Sequence, residues 1–334
     1  MDVLVLGSTG FIGTNLVHEC LGAGHTVRGF HLPGHDTTRI QLPGVTPVPG
    51  NLFDTESVAR AARGVDVVFH AAGPYPRVSF GWKRSVDRAA ESARCVLAGC
   101  REAGSPRLVF TSSLTTIGLS RDPSVPADET LEFNISGTLT PYFQMKKVQE
   151  DAFRAAAAQG YPAIIVNPTF GFGPYDEKPS RRVLPDVMQG RMPFYMDFPI
   201  NAVDIRDMAR GHLLAAARGV PGQRYLLGGE NTTFGHILEL VAQAGGVRPP
   251  RIRVPAVLGV VGAAASEIGA SFFHRAGRYP LVGMELLRFS QHVDDSKAAR
   301  ELGYAPWYDL ATTMHDAVEW LRENGRRGEP RFPG

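Results

Sequence analysis

The first 170 residues alternate short apolar runs with stretches whose hydrophobic positions recur at helical spacing. Strand-like runs fall at 2–6 (DVLVL), 26–30 (TVRGF), 45–49 (VTPVP), 66–69 (DVVF), 107–111 (RLVFT) and 162–166 (PAIIV). Amphipathic stretches lie between them near 11–23, 55–63, 83–103 and 143–159. Nearly continuous apolar strands separated by helices are what a parallel sheet covered on both faces requires. The expectation is an α/β fold with a Rossmann-type doubly wound parallel sheet. Asp54 ahead of Thr55 predicts a capped helix start, and Gly104 predicts a helix end.

After residue 170 the pattern changes. Residues 171–199 are rich in Pro, Gly, Arg and aromatic residues, and helical periodicity dominates from 229 onward. The stretches AVDIRDMARGHLLAAA and RYLLGG, near 200–228, read as returns to the first lobe. The expected organisation is a lobe over 1–170 with those returns, a smaller and mainly helical lobe from 171–199 and 229–325, and a loose tail at 326–334.

Composition narrows the function without naming it. Hydrophobic content of 43% and charged content of 20% fit an ordinary soluble chain, and a net charge of +2 gives no footing for nucleic acid or an anionic membrane. Cys20, Cys95 and Cys100 lack metal-ligand spacing, so they are expected as reduced, mostly buried thiols in a cytoplasmic protein with no metal site. The opening MDVLVLGSTGFIG begins with an acid and runs directly into glycines, unlike a secretory leader. The apolar stretch 254–273 carries Glu267 and is built on Gly and Ala. It reads as a lobe-packing helix and not an integral membrane segment, with peripheral membrane contact the lesser alternative.

The clearest chemical signal is VLVLGSTGFIG. Gly7, Gly10 and Gly13 follow a strand and open a helix, the context in which such a motif seats a dinucleotide. Gly7 permits a tight turn, Gly10 lets the backbone approach a pyrophosphate, and Gly13 lets helix and strand pack closely. Thr9, Phe11 and Ile12 complete the loop, and the helix N-terminus offers oriented amides to phosphate. At the end of the second strand, where a carboxylate would take the adenosine ribose, stand His31 and Leu32, with no acid before Asp36. Arg28 and Arg39 are near in sequence and could pair with a 2′-phosphate. The reading favours NADP(H), with NAD(H) the alternative.

A second signal is TPYFQMKK. Tyr142 and Lys146 lie one helical turn apart on the same face, whereas Lys147 projects away and reads as solvated. A free tyrosine has a pKa of about 10, and a nearby ammonium favours its phenolate, bringing the proton closer to transferable. Pro141 suits the start of that helix.

With these motifs in place, the chain resembles the extended short-chain dehydrogenase/reductases of the NAD-dependent epimerase/dehydratase superfamily. The nearest branches are the dihydroflavonol 4-reductase-like enzymes and the hopanoid-associated sugar epimerases. The resemblance runs over almost the whole chain, through GSTGFIG, GNLFD, HAAG, LVFTSS, PADET, YFQMK, VNPTFGFGPYD, GHLLA, YLLGGEN and DDSKAARELGY. It implies a catalytic set of Ser113, Tyr142 and Lys146, with Thr115 a fallback for the Ser113 hydroxyl. Lys146 would also reach the nicotinamide ribose. It further implies that Asn51 and Leu52 lie near the adenine, that Ala71, Ala72, Gly73 and Thr111 line the dinucleotide, and that Asn167, Pro168, Thr169 and Phe170 pass the nicotinamide. His70 reads as a structural strand-end histidine. The family's frequent Asn on the 83–103 helix is replaced around Ala89 and Ser92, and a frequent His by Asp204. A homodimer through the helices at 83–103 and 142–159 is implied as well.

Substrate selection is expected from 73–84 and 171–199, with Tyr75, Phe80, Trp82, Phe194, Tyr195 and Phe198 supplying aromatic surface. Arg181, Arg182 and Arg191 could instead grip a sugar-nucleotide diphosphate. The favoured function is NADP(H)-dependent reduction of a carbonyl on a small, moderately apolar, ring-containing substrate. An NAD(P)-dependent sugar-nucleotide epimerase or dehydratase is the alternative, and a non-catalytic cofactor-sensing protein comes third.

Overall fold

The computed structural model describes residues 1–73, 82–135, 138, 140–176, 183–255 and 286–325. Seven parallel strands form the main sheet: β1 (Asp2–Leu6), β2 (Thr26–His31), β3 (Val45–Pro49), β4 (Val67–His70), β5 (Arg107–Thr111), β6 (Ala163–Pro168) and β10 (Arg224–Leu227). Their spatial order is β10-β6-β5-β4-β1-β2-β3. The chain winds outward from β1 in one direction to β3, then restarts at β4 and winds the other way. That reversal opens a crevice between β1 and β4 beyond their carboxyl ends, the place where open α/β sheets bind ligands.

Alternation along each strand divides two cores. Val3, Val5, Val67, Phe69, Val109, Ile164 and Val166 face helices α1 (Phe11–Gly22) and α6 (Ile205–Arg218) and the short α8 (Ser296–Leu302). Leu4, Leu6, Val68, Leu108, Phe110 and Ile165 face α2 (Thr55–Ala62), α3 (Trp82–Glu102) and α4 (Tyr142–Ala158). Both faces of the sheet are thus buried, which explains why its strands read as unbroken apolar runs. Asp54 caps α2 by accepting from the amides of Glu56 and Ser57 at 3.1 and 3.2 Å.

A second layer of structure is less regular. Strands β7 (Phe170–Phe172), β9 (Pro199–Asp204) and β11 (Glu230–Thr233) form a small sheet in the order β11-β9-β7. A two-stranded ribbon joins β8 (Phe194–Tyr195) to β12 (Ile252–Arg253). Helices α5 (Val183–Met188), α7 (Phe234–Gly245) and α9 (Leu310–Gly325) close a third core around Phe172, Ile237, Val241 and Met314. The small sheet and ribbon are absent from the sequence expectation, because their strands are two to six residues long and lack an extended alternating pattern. Most of 254–273 and the tail at 326–334 lie outside the described residues. Among those described, no helix is long and apolar enough to cross a membrane.

Cys20, Cys95 and Cys100 are free thiols, and burial pushes Cys20 and Cys100 up to about 12. Cys20 and Cys100 are thus buried filler and not nucleophiles, whereas Cys95 is half-buried.

Candidate active site

The glycine loop stands at the mouth of the β1–β4 crevice. Gly7 has φ +87°, a left-handed conformation, and its amide and that of Ser8 both donate to Phe30 O at 3.0 and 3.1 Å. A Cβ on Gly7 would lie 2.7 Å from Ala72 Cβ, and one on Gly13 would lie 2.7 Å from the carbonyl carbon of Gly7. The loop is thus packed too closely for side chains at Gly7 and Gly13, leaving the exposed Gly10 at the crevice, an arrangement that fits a dinucleotide pyrophosphate. Gly10 is exposed at its rim, with Thr9 and Ile12 half-buried and Phe11 buried behind it.

At the adenosine end the arginines are engaged elsewhere. Arg28 Nη1 donates to Ala61 O and Arg63 O at 2.9 and 2.7 Å, so it terminates α2 and does not face the crevice. The Arg39 guanidinium lies 5.7 Å from the ring centroid of Tyr175 and 5.1 Å from that of Trp320. His31 Nδ1 meets Leu32 O at 3.0 Å, and Thr9 Oγ1 meets His35 Nδ1 at 3.3 Å. Asn51 is exposed and its Oδ1 accepts from Phe53 N at 3.1 Å, shaping the turn into α2, with Leu52 half-buried beside it.

The catalytic candidates converge at the ends of β5 and α4. Tyr142 is the first residue of α4, its ring edge-on to Phe143. Lys146 Nζ donates to Thr111 O at 3.0 Å, which fixes the ammonium over the end of β5. Thr111 is itself held, since its hydroxyl meets His212 Nε2 at 2.8 Å while His212 Nδ1 meets Met208 O at 2.8 Å. Ser113 follows β5 and starts a short 3-10 turn. Its Oγ accepts from Thr115 N at 3.2 Å and from Thr115 Oγ1 at 2.9 Å. Both contacts use the Ser113 oxygen as acceptor, so its proton is left to donate to a ligand oxygen. Thr115 is buried and orients Ser113.

Other candidates fall differently. Asn167 is buried, with its Nδ2 3.1, 2.8 and 2.9 Å from Ser113 O, Thr116 Oγ1 and Glu150 Oε2, and its Oδ1 has no hydrogen-bond partner among the described residues. Pro168 is buried and Phe170 half-buried, while Ala71, Ala72 and Gly73 lead out of β4 along the crevice. Lys147, expected to be solvated, forms an ion pair with Asp151 at 2.6 Å on the outer face of α4. The place of the family's Asn is taken by a buried pair in which Gln149 Nε2 donates to Ser92 Oγ at 3.2 Å. Asp204 caps α6 and holds Arg206 through both carboxylate oxygens.

Of the substrate candidates, Trp82 opens α3 and is exposed, Phe194 is exposed on the ribbon, and Tyr195 is half-buried beside Gly235. Arg191 is tied to Asp186 at 3.0 Å. Tyr75, Phe80, Arg181 and Arg182 lie outside the described residues.

Beneath the site are two buried histidines: His70, read from the sequence as a structural strand-end residue, and His212, which the sequence did not single out. His70 is fully buried between Phe110 and Phe153, and neither ring nitrogen has a hydrogen-bond partner among the described residues. Burial, with the Lys146 charge, pushes it down to about 3, and burial pushes His212 down to about 4. Both are thus neutral in the fold and would protonate near 6.5 once unfolded. Their contribution to stability is complete above about pH 6.5 and is lost as pH falls toward 4 and 3. Urea unfolding at pH 5 should show roughly 2 kcal/mol less stability per histidine than at pH 7. His70→Leu should remove about half of that pH slope, and an unchanged slope would refute the assignment.

Residues 3–228 match the model of the NAD dependent epimerase/dehydratase family. A dihydroflavonol 4-reductase-like protein of Synechocystis sp. is 32% identical, with 96% of this chain and 94% of that protein aligned. Sterol demethylase protein B of Methylococcus capsulatus is 31% identical over 97% and 99% of the two chains. The crystal structure of gox2253 superposes with a TM-score of 0.83 at 32% identity, covering 97% of this chain and 99% of that one. A glycine cradle at the sheet's reversal, a Tyr–Lys helix beside a strand-end serine, and these matches place the chain in the NAD-dependent epimerase/dehydratase family of extended short-chain dehydrogenase/reductases, enzymes that use a nicotinamide cofactor.

Proposed function

We propose that the protein reduces a carbonyl of a small, ring-containing, moderately apolar compound to an alcohol with NADP(H). The observation that carries this reading is the arrangement at the end of β5. There Lys146 is fixed on Thr111 O, and Ser113 keeps a proton to donate, next to the helix that begins with Tyr142. The names of two relatives, a dihydroflavonol 4-reductase-like protein and a sterol demethylase protein, support a ring-bearing substrate.

When bound, the reduced nicotinamide supplies hydride to the carbonyl carbon. The chain's own task is the oxygen. Tyr142 delivers a proton to it, and the Lys146 ammonium lowers the cost of the phenolate left behind. Ser113 donates to the same oxygen as negative charge grows there. Preference for NADP(H) rests on the missing carboxylate after β2, where His31 and Leu32 stand. Arg39 could meet a 2′-phosphate by leaving its seat against Tyr175 and Trp320. Pairing of two copies through α3 and α4 belongs to the same proposal, and the mass in solution reports it.

The test follows NADPH and NADH absorbance separately against cyclic ketones, quinones, flavonoids, sterol ketones and UDP-sugars. Consumption of NADPH at least about tenfold more efficient than of NADH, with a ring ketone, is expected. Epimerisation of a UDP-sugar with no net cofactor oxidation would overturn the reductive reading in favour of the sugar-nucleotide one.

A further inference from the structure

We infer that Glu150 is a positioning residue, which locks the Tyr142–Lys146 face of α4 against the turn that carries Ser113. Glu150 follows Lys146 by four residues and Tyr142 by eight, so it continues the same side of the helix inward. Its side chain is completely buried. Through Oε2 it accepts from Ser112 Oγ at 2.6 Å, Thr116 Oγ1 at 2.5 Å and Asn167 Nδ2 at 2.9 Å. Through Oε1 it faces Arg224 Nη1 of β10 at 3.7 Å.

These contacts form a closed set around the backbone of Ser113. Thr116 Oγ1 also lies 2.7 Å from Ser113 O, and Asn167 Nδ2 donates to the same carbonyl at 3.1 Å. Arg224 is anchored in turn, donating to Glu129 O and, at 3.3 Å, to Leu131 O. One carboxylate therefore ties α4 to the end of β5, the following turn, β6 and β10. None of these partners reaches the crevice through Glu150, so its effect passes through the residues it holds. Oε1 has no hydrogen-bond partner among the described residues and meets only the Arg224 guanidinium, so this buried carboxylate is costly to keep and is better explained by fixing geometry than by adding stability. Filler would have been served as well by an apolar side chain in that core.

The inference rests on the proposed role of Tyr142, and the test separates the two. The Tyr142 phenol is titrated by NMR in protein labelled at tyrosine Cζ with NADP+ bound, and its signal is identified by loss in Tyr142→Phe. Among the described residues, the charged or titratable groups around this face include Lys146 on α4, His70 on β4, Arg224 on β10 and Glu129 beside Arg224. Glu150→Ala and Thr116→Val are expected to raise the midpoint by half a unit or more, because α4 and Lys146 are no longer held in place. Glu150→Gln keeps an acceptor for the three donors and removes an anion, so its midpoint should stay at the parent's value or fall below it.

That difference in sign distinguishes positioning from bulk charge, which would lower the midpoint in Glu150→Ala as well. A midpoint that is unchanged or lower in both Glu150→Ala and Thr116→Val overturns the inference. Thermal unfolding is followed in parallel, and Thr116→Val, a near-isosteric change, carries the test if Glu150→Ala does not fold. A parent midpoint at the ordinary value of about 10 overturns the Tyr142 reading itself, and this inference falls with it. On whichever carbonyl compound the parent reduces, Thr116→Val should lose about tenfold in kcat with its NADPH KM within twofold. Equal loss in both, accompanied by a lower unfolding temperature, would mark Glu150 as merely structural.

Discussion

Gly13→Ala is expected to weaken NADPH binding by about 100-fold or more and to lower the unfolding temperature. The added methyl would stand 2.7 Å from the carbonyl carbon of Gly7 and 3.0 Å from Ser8 Cα, both backbone atoms that no rotamer change can move. Nor can the loop retreat. Gly7 and Ser8 are pinned through their amides to Phe30 O, and Gly10 N donates to Gly7 O at 3.0 Å. The far side of Gly7 is walled by Ala72. The helix must therefore slide away from the strand, taking with it the amides that would hold the pyrophosphate. Overpacking of this kind costs about 1–3 kcal/mol, and a 100-fold loss of affinity corresponds to about 2.7 kcal/mol. Gly10→Ala is the control. Gly10 is exposed and, among the described residues, its Cβ would meet only Gly7 O at 3.3 Å, so the fold should tolerate it and its unfolding temperature should stay near the parent's. Fluorescence titration with NADPH and thermal unfolding read both effects. A Gly13→Ala protein that binds like the parent would remove the cradle from the cofactor site.

The main sheet was legible because strand burial and sequence pattern coincide. Except for the edge strand β3, the strands of the large sheet are buried on both faces, so DVLVL and PAIIV announce themselves without reference to distant residues. The Tyr142–Lys146 pair and the glycine loop were legible for a similar reason, since their spacing is local. What stayed hidden depends on contacts across the chain. Glu150 sits four residues beyond Lys146, and that spacing was visible. Its meaning comes from Ser112, Thr116, Asn167 and Arg224, which only the fold assembles. Arg28 misled in the same way: it is near the end of β2 in sequence, yet its guanidinium caps α2. The strands of the small sheet and ribbon escaped because they are short and gain their order from neighbours such as α7 and α9, not from their own pattern.

Tyr142→Phe is the change expected to reach furthest into the chemistry while leaving the fold alone. The ring belongs to a cluster with Leu114, Ile117, Phe143 and Leu226, and phenylalanine preserves that packing. The glycine cradle is untouched, so NADPH affinity should stay within about twofold of the parent. Loss of the proton donor should lower kcat by about 1,000-fold, within the range of about 10²–10⁴ for a positioned general acid. The pH profile makes the assignment specific. Reduction by the parent should fall at high pH as Tyr142 loses its proton, and the residual rate of Tyr142→Phe should lack that limb. Lys146→Met should behave differently, losing cofactor affinity together with kcat, because its ammonium is fixed on Thr111 O at the sheet end, where the proposed reaction places the nicotinamide ribose. A Tyr142→Phe protein with full turnover would remove Tyr142 from the mechanism. A profile that keeps its alkaline limb in that variant would assign the limb to another group.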